Sequence, residues 1–229
     1  MPDLRYLDLR YFEWFVDERG YEPVSAATNQ PVREREVLKE PAIGGGWTLR
    51  RRGGSLRKYY PLVDEPGLAR RFAYLSREPQ EILGFVREFG FLGVGRLEHP
   101  DELDWDEEVQ WWHTHIQGMR HIVEGIDGGA RLKIASIFND YVGRDKPSMT
   151  VRIEIREGKL PSQKVVPTNL LSALWLQVAD EITKDVNFRQ CEQCPRWFGY
   201  GPGTQHRETK RFCSNRCRQA WHRKQKSNG

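Results

Sequence analysis

Two hydrophobic rhythms divide the chain. In the first sixty residues apolar positions alternate with polar ones, as in Leu7, Leu9 and Tyr11, which fall on one face of a strand. The segments 48–52 and 55–59 flank Gly53-Gly54, the spacing of a β-hairpin, and Gly44-Gly45-Gly46 reads as a turn or loop. From Pro66 the period becomes helical. Pro66 stands at the first position of a helix carrying Leu68, Phe72 and Leu75. Pro79 opens a second, with Ile82, Leu83, Val86 and Phe89 inward and Gly90 as its stop. A long helix is predicted from about Asp104 to Gly125, with Val109, Trp112, Ile116, Met119 and Val123 as its buried stripe. Val151 to Ile155 alternates as a strand and Gly158 to Pro167 reads as a loop. Leu170, Leu171, Leu174, Trp175, Val178 and Ile182 then mark an amphipathic helix, capped by Thr168 or Asn169 and ending near Asp185. The fold class expected is α+β: a mainly helical body over 1–187 with a small N-terminal β portion, then a four-cysteine module over 188–229. The short connection predicts that the module docks close to the body.

Composition narrows the class. A chain of 229 residues, 38% apolar and 30% charged, reads as globular and neither disordered nor collagenous. No run approaches the ~18 apolar residues of a membrane span. Asp3, Asp8, Glu13 and Asp17 interrupt the first thirty residues, which do not read as a signal peptide. A cytoplasmic protein without membrane contact is the expectation. The net charge of +4 hides an asymmetry. From Cys191 onward nine basic residues face two acidic ones, a net of +7, while the preceding residues hold 27 against 30, a net of −3. A basic tail on a mildly acidic body points to a polyanionic partner.

All four cysteines lie in that tail: Cys191, Cys194, Cys213 and Cys217, two close pairs separated by eighteen residues. Zinc takes four such thiolates tetrahedrally, and the alternative is a pair of disulfides, which a reducing cytosol disfavours. Zn²⁺ is the expected cofactor, and in so short a segment it supplies the folding free energy. With the sulfurs ionised the metallated tail carries about +5. Trp197, Phe198, Phe212 and Trp221 read as a small core around the site, in preference to a base-stacking role. Cys213 and Cys217, four apart, read as one face of a helix together with Ala220 and Trp221. Arg216, Arg218, Gln219, His222, Arg223 and Lys226 occupy the opposite arc, and His222 reads as a surface residue. This is either a solvated basic face or one that lies against phosphates.

Other clusters draw plainer readings. Arg50-Arg51-Arg52 with Arg57-Lys58 is either a charged edge or a second nucleic-acid contact. His113, His115 and His121 are badly placed for joint chelation, since the first two lie about 200° apart on a helix. The acidic run Glu98, Asp101, Glu102, Asp104, Asp106, Glu107 and Glu108 suits the positive end of the long helix, or docks on the basic tail when no nucleic acid is present. With no phosphate loop, nucleophile elbow or metalloprotease helix, nothing points to an enzyme.

The tail Cys191-Glu192-Gln193-Cys194, Trp197-Phe198, Arg211-Phe212-Cys213-Ser214 and Cys217-Arg218 resembles the C-terminal zinc finger of bacterial CGNR-type and related proteins, described as stress-induced transcription regulators. Pro66-Gly67-Leu68, Phe89-Gly90-Phe91-Leu92-Gly93 and Pro167-Thr168-Asn169-Leu170-Leu171 are similar to phrases of their N-terminal helical domain. The chain departs from the group's signature: its last cysteine is followed by Arg218-Gln219-Ala220, and the second pair has a gap of three. The resemblance implies zinc binding and DNA binding. The combined expectation is a transcriptional regulator on double-stranded DNA, with Arg211, Arg216, Arg218, Arg223 and Lys226 at the nucleic acid and the body as a ligand pocket or homodimer surface. A zinc-stabilised protein-interaction module and an RNA binder remain the alternatives.

Overall fold

In a computed structural model, which describes residues 12–25, 29–31, 46–93, 106–145, 149–154, 162–184, 186–201, 204 and 206–227, the segments around Gly53-Gly54 are strands but do not pair with each other. Strand β1 (Trp14–Asp17) runs antiparallel to β4 (Leu56–Tyr59), with Trp14 opposite Tyr59. Strand β2 (Tyr21–Ser25) runs antiparallel to β3 (Trp47–Arg51), with Tyr21 opposite Arg51. Both ladders belong to one long antiparallel run whose register slips by a residue at the glycines, so Gly53-Gly54 is a bulge and not a hairpin turn. The Asp17 carboxylate, buried in the break, explains the difference. It accepts from the backbone N–H of Arg19 at 2.8 Å and of Gly54 at 3.0 Å, and from Arg51 Nε at 3.2 Å. Gly53 has φ +70°, which a side chain resists. Leu7, Leu9, Tyr11 and Gly44-Gly45 lie outside the described residues.

Four helices follow: α1 (Pro61–Asp64), α2 (Leu68–Ala73), α3 (Pro79–Phe89) and, after the two-residue strand β5 (Glu107–Glu108) that extends the β2–β3 sheet, the long α4 (Val109–Asp127). Pro66 sits in the turn before α2 and not at its first helical position. Gly90 ends α3 at φ +85°, and a Cβ there would lie 2.5 Å from the Phe15 carbonyl oxygen. The long helix begins at Val109 because Glu107 is used otherwise. Its carboxylate, 1% exposed, accepts from the Leu92 N–H at 2.9 Å and from Trp112 Nε1 at 3.0 Å. Glu107 is therefore a buried acceptor holding the chain after α3, not a dipole charge. Glu98, Asp101, Glu102 and Asp104 lie outside the described residues.

Helix α5 (Arg131–Asp145) was not foreshadowed by the sequence pattern, and the 158–167 stretch read as a loop contains strand β7 (Ser162–Pro167), antiparallel to β6 (Met149–Glu154). Helix α6 (Leu170–Lys184) is capped by Asn169, whose Oδ1 accepts from the Ser172 N–H at 2.8 Å. The core lies among α2, α3, α4 and α6, where Phe72, Ile82, Trp112, Ile116, Leu170 and Trp175 are almost wholly buried. Burial of this scale, at roughly 25 cal/mol per Å² of apolar surface, drives the body's folding. The α+β class holds: helices predominate, with small antiparallel sheets.

Candidate metal centre and basic helix

Strand β8 (Asn187–Gln190) runs directly into the first cysteine pair, and β9 (Trp197–Tyr200) returns antiparallel with Gln190 opposite Trp197. The intervening turn is closed by the Cys191 N–H on the Arg196 carbonyl at 2.9 Å. Helix α7 (Asn215–Ser227) carries Cys217, while Cys213 lies just before it. The sequence placed both on one helix; Ser214 explains the shorter span, since its Oγ accepts from the Cys217 N–H at 3.3 Å as an N-cap does.

These elements bring the four thiols together, all Sγ atoms within 4.8 Å of one another. Cys194 and Cys213 sulfurs stand 3.6 Å apart, Cys213 and Cys217 3.5 Å, Cys217 and Cys194 3.7 Å. Four sulfurs at ~2.3 Å from one metal ion form a tetrahedron with an edge of ~3.8 Å. The set therefore fits a metal ion, and the spacing excludes the ~2 Å bond of a disulfide. The electrostatics agree. Burial pushes the Cys191 thiol up, but N–H groups of Cys213, Gln193 and Cys194 outweigh it and bring the thiol down to about 7 from 9.0. Burial and the neighbouring sulfurs hold Cys213 well above the ordinary thiol range, and burial raises Cys194. Sulfurs this close resist joint ionisation until a cation is placed among them.

Cys191, Phe198 and Phe212 form the module's buried cluster, with Trp221 against it. Trp197 does not join them. Its ring stacks on Tyr74 of the body, centroids 5.4 Å apart and planes at 11°. On α7, Cys217, Ala220 and Trp221 are half-buried, and Arg216, Arg218, Arg223 and Lys226 are exposed on the other arc. None of those four cations has an ion-pair partner among the described residues. Arg211 differs, since its Nε and Nη2 each donate to a Glu192 oxygen at 2.5 Å and the group sits 5.2 Å from the Trp221 ring. His222 is exposed, as expected. The second basic cluster is largely neutralised: Arg50 pairs with Asp106 at 2.7 Å, Arg51 with Asp17 at 3.2 Å and Arg52 with Glu22 at 3.4 Å. The histidines do not converge, and among the described residues the four cysteines are the only group placed to hold a metal.

One feature escaped the sequence reading. Arg70, 1% exposed on α2, donates to Asp127 at 2.8 Å and 3.0 Å and to Glu181 at 2.9 Å. Its guanidinium also lies 5.4 Å from the rings of both Phe188 and Trp197, on β8 and β9. A single cation thus ties α2, α4 and α6 to the module. A charge among Leu68, Ala69, Phe72 and Ala73 was the available signal, but its partners are 57 and 111 residues away. Arg196 with Glu65 adds a second tie between module and body.

No family model, no curated protein and no solved structure matches the chain. Among the described residues no helix is long and apolar enough to cross a membrane.

Proposed function

We propose that Cys191, Cys194, Cys213 and Cys217 hold Zn²⁺ as a closed structural site, and that α7 lies against double-stranded DNA, making the chain a transcriptional regulator. The observation that carries this reading is the arc of Arg216, Arg218, Arg223 and Lys226, without ion-pair partners among the described residues and beside a four-thiol site. Four thiolates leave the ion no open position, so its work is to fix β8, β9 and α7. Thiolate softness and tetrahedral spacing favour zinc over hard cations. The likeness of the tail to CGNR-type zinc fingers points the same way. Arg211, held by Glu192, positions its loop and takes a smaller share of any phosphate contact.

Binding of a fluorescent duplex across a salt series tests the reading. Four phosphates neutralised predict a log–log slope of about −3.6, and charge reversal of Arg218 and Arg223 should make it shallower, about −1.8. A flat salt dependence, or a slope unmoved by the double reversal, removes α7 from the interface. The docking of Trp197 on Tyr74 favours a second reading, in which the zinc unit caps the body and its basic face meets an acidic protein. Preference for single-stranded or hairpin RNA in the same titration would replace DNA with RNA.

A further inference from the structure

Where α6 meets the approach to β8 the packing leaves a half-open cleft of about 130 Å³. Leu62 of α1 and Leu176 of α6 wall it from the body, and Val186 and Phe188 from the module's side. Val186 and Phe188 are only half-buried, large apolar side chains that the joint does not close over. Gln177, Asp180, Glu181 and Lys184 line the cleft too, but their polar atoms are spent on the protein itself. Gln177 Oε1 accepts from the Ala69 N–H at 2.8 Å, and its Nε2 donates to the Glu65 carbonyl at 2.7 Å. Asp180 Oδ2 takes the Lys184 ammonium at 2.6 Å, and Glu181 Oε2 takes Arg70 Nε at 2.9 Å. The other oxygen of each carboxylate is buried, out of reach of anything in the cleft. Two acids and two cations thus balance each other, and what remains for a ligand is uncharged apolar surface.

We propose that this cleft binds a small uncharged hydrocarbon ring, held between Leu62 and Leu176 of the body and Val186 and Phe188 of the module's approach. The volume is close to the ~150 Å³ of a dry apolar cavity that takes benzene, which sets the size at about one ring. Left unfilled, the walls lack van der Waals partners across the gap. A ring placed there supplies them, and both it and the walls lose apolar surface to water. An ion of the same shape gains nothing comparable, because each acid and each cation of the lining is already paired and the ion gives up its hydration. The wall is shared between the two regions, and Phe188 also lies 5.4 Å from the Arg70 guanidinium. Occupancy therefore fastens β8 to α6 at the joint between body and module. The binding claim stands whether or not α7 touches DNA.

The test uses the full zinc-loaded chain with toluene as probe and N-methylpyridinium, the same shape carrying a positive charge, as counter-probe. Toluene should bind saturably and one to one, with methyl chemical-shift changes centred on Leu62, Leu176 and Val186 and slower amide exchange along β8. The cation should bind at least tenfold more weakly. Leu176→Trp, which fills the cleft, should abolish toluene binding, and Val186→Ser, which strips an apolar wall at a half-buried position, should weaken it severalfold. Non-saturable uptake, shift changes centred elsewhere, equal binding of the cation, or undiminished binding by Leu176→Trp would overturn the proposal. The shift map on the unsubstituted chain decides even where a variant folds poorly.

Discussion

The body and the cysteine module reach order by opposite means. The body carries one apolar cluster running from Phe12 to Val178, in which α2, α3 and α4 share aromatic contacts such as Phe72 on Phe85 at 5.6 Å and on Trp112 at 5.8 Å. Among the described residues the module buries only Cys191, Phe198 and Phe212. A core that small cannot offset the chain entropy of some forty residues at ~1.5 kcal/mol each. The body is held by surface removed from water, and the module, on the proposed reading, by an ion. Each should therefore fail under conditions the other survives.

The largest effect expected is on the module alone. Cys213→Ser, or a strong chelator, should unfold β8, β9 and α7, because a structural zinc supplies on the order of 10 kcal/mol of apparent binding free energy. Amide spectra should lose the dispersion of residues 187–227 while the body's cooperative thermal transition persists. Loss of both together would show that the body depends on the module. The converse break is Trp112→Ala. Trp112 is fully buried and donates to Glu107, so its removal should cost the body about 3–5 kcal/mol in denaturant unfolding. Zinc content at low denaturant should not change.

The contrast extends to pH. Tyr21 is 2% exposed, and burial pushes its hydroxyl up to about 12 from 10.0. The folded state then keeps the proton longer than the unfolded chain. Stability is fully present below pH 10 and is lost as pH climbs from 10 towards 12, by roughly 3 kcal/mol at most. Tyr21→Phe should flatten that limb of the body's stability curve. The module should fail at the other end, since thiolates that hold a metal take up protons as pH falls and release it. An acid-stable module would argue against thiolate ligation.

Much of this division could be read from the chain. The 3.6-residue stripes of α3, α4 and α6 and the paired cysteine spacing are local signals, each set by residues a few positions apart. What escaped was long-range. Asp17 serves turns on two ladders and converts a plausible hairpin into a bulge, and no local pattern says that its donors sit at 51 and 54. Glu107 looked like one more acid at a helix start, yet its acceptors' partners lie at Leu92 and Gly93. Helix α5 has a weak apolar stripe, with Leu132 93% exposed, so periodicity offered little. Trp197 read as a core residue of the module because aromatics near cysteines usually are, and only Tyr74, 123 positions earlier, reveals its other use.

That last contact gives the finest test of how separate the two regions are. Tyr74 is half-exposed, so removing its ring leaves the body's core nearly intact. Its face lies on Trp197, and its hydroxyl donates to Asp127 at 3.2 Å, the same carboxylate that holds Arg70. A stacked aromatic pair contributes about 0.5–1.5 kcal/mol beyond the area it covers. Tyr74→Ala should thus leave the body's unfolding midpoint almost unchanged. It should accelerate hydrogen exchange across Trp197–Tyr200 by up to about tenfold, the factor that corresponds to 1.4 kcal/mol. Tyr74→Phe, which keeps the stack and loses only the bond to Asp127, should recover most of the protection. Unaltered exchange in Tyr74→Ala would mean that the ion alone orders β9 and that the body merely touches it. A graded response through Phe to Ala would show that the joint lends the module part of its stability, and that motion of the body around Arg70 is felt at the cysteines.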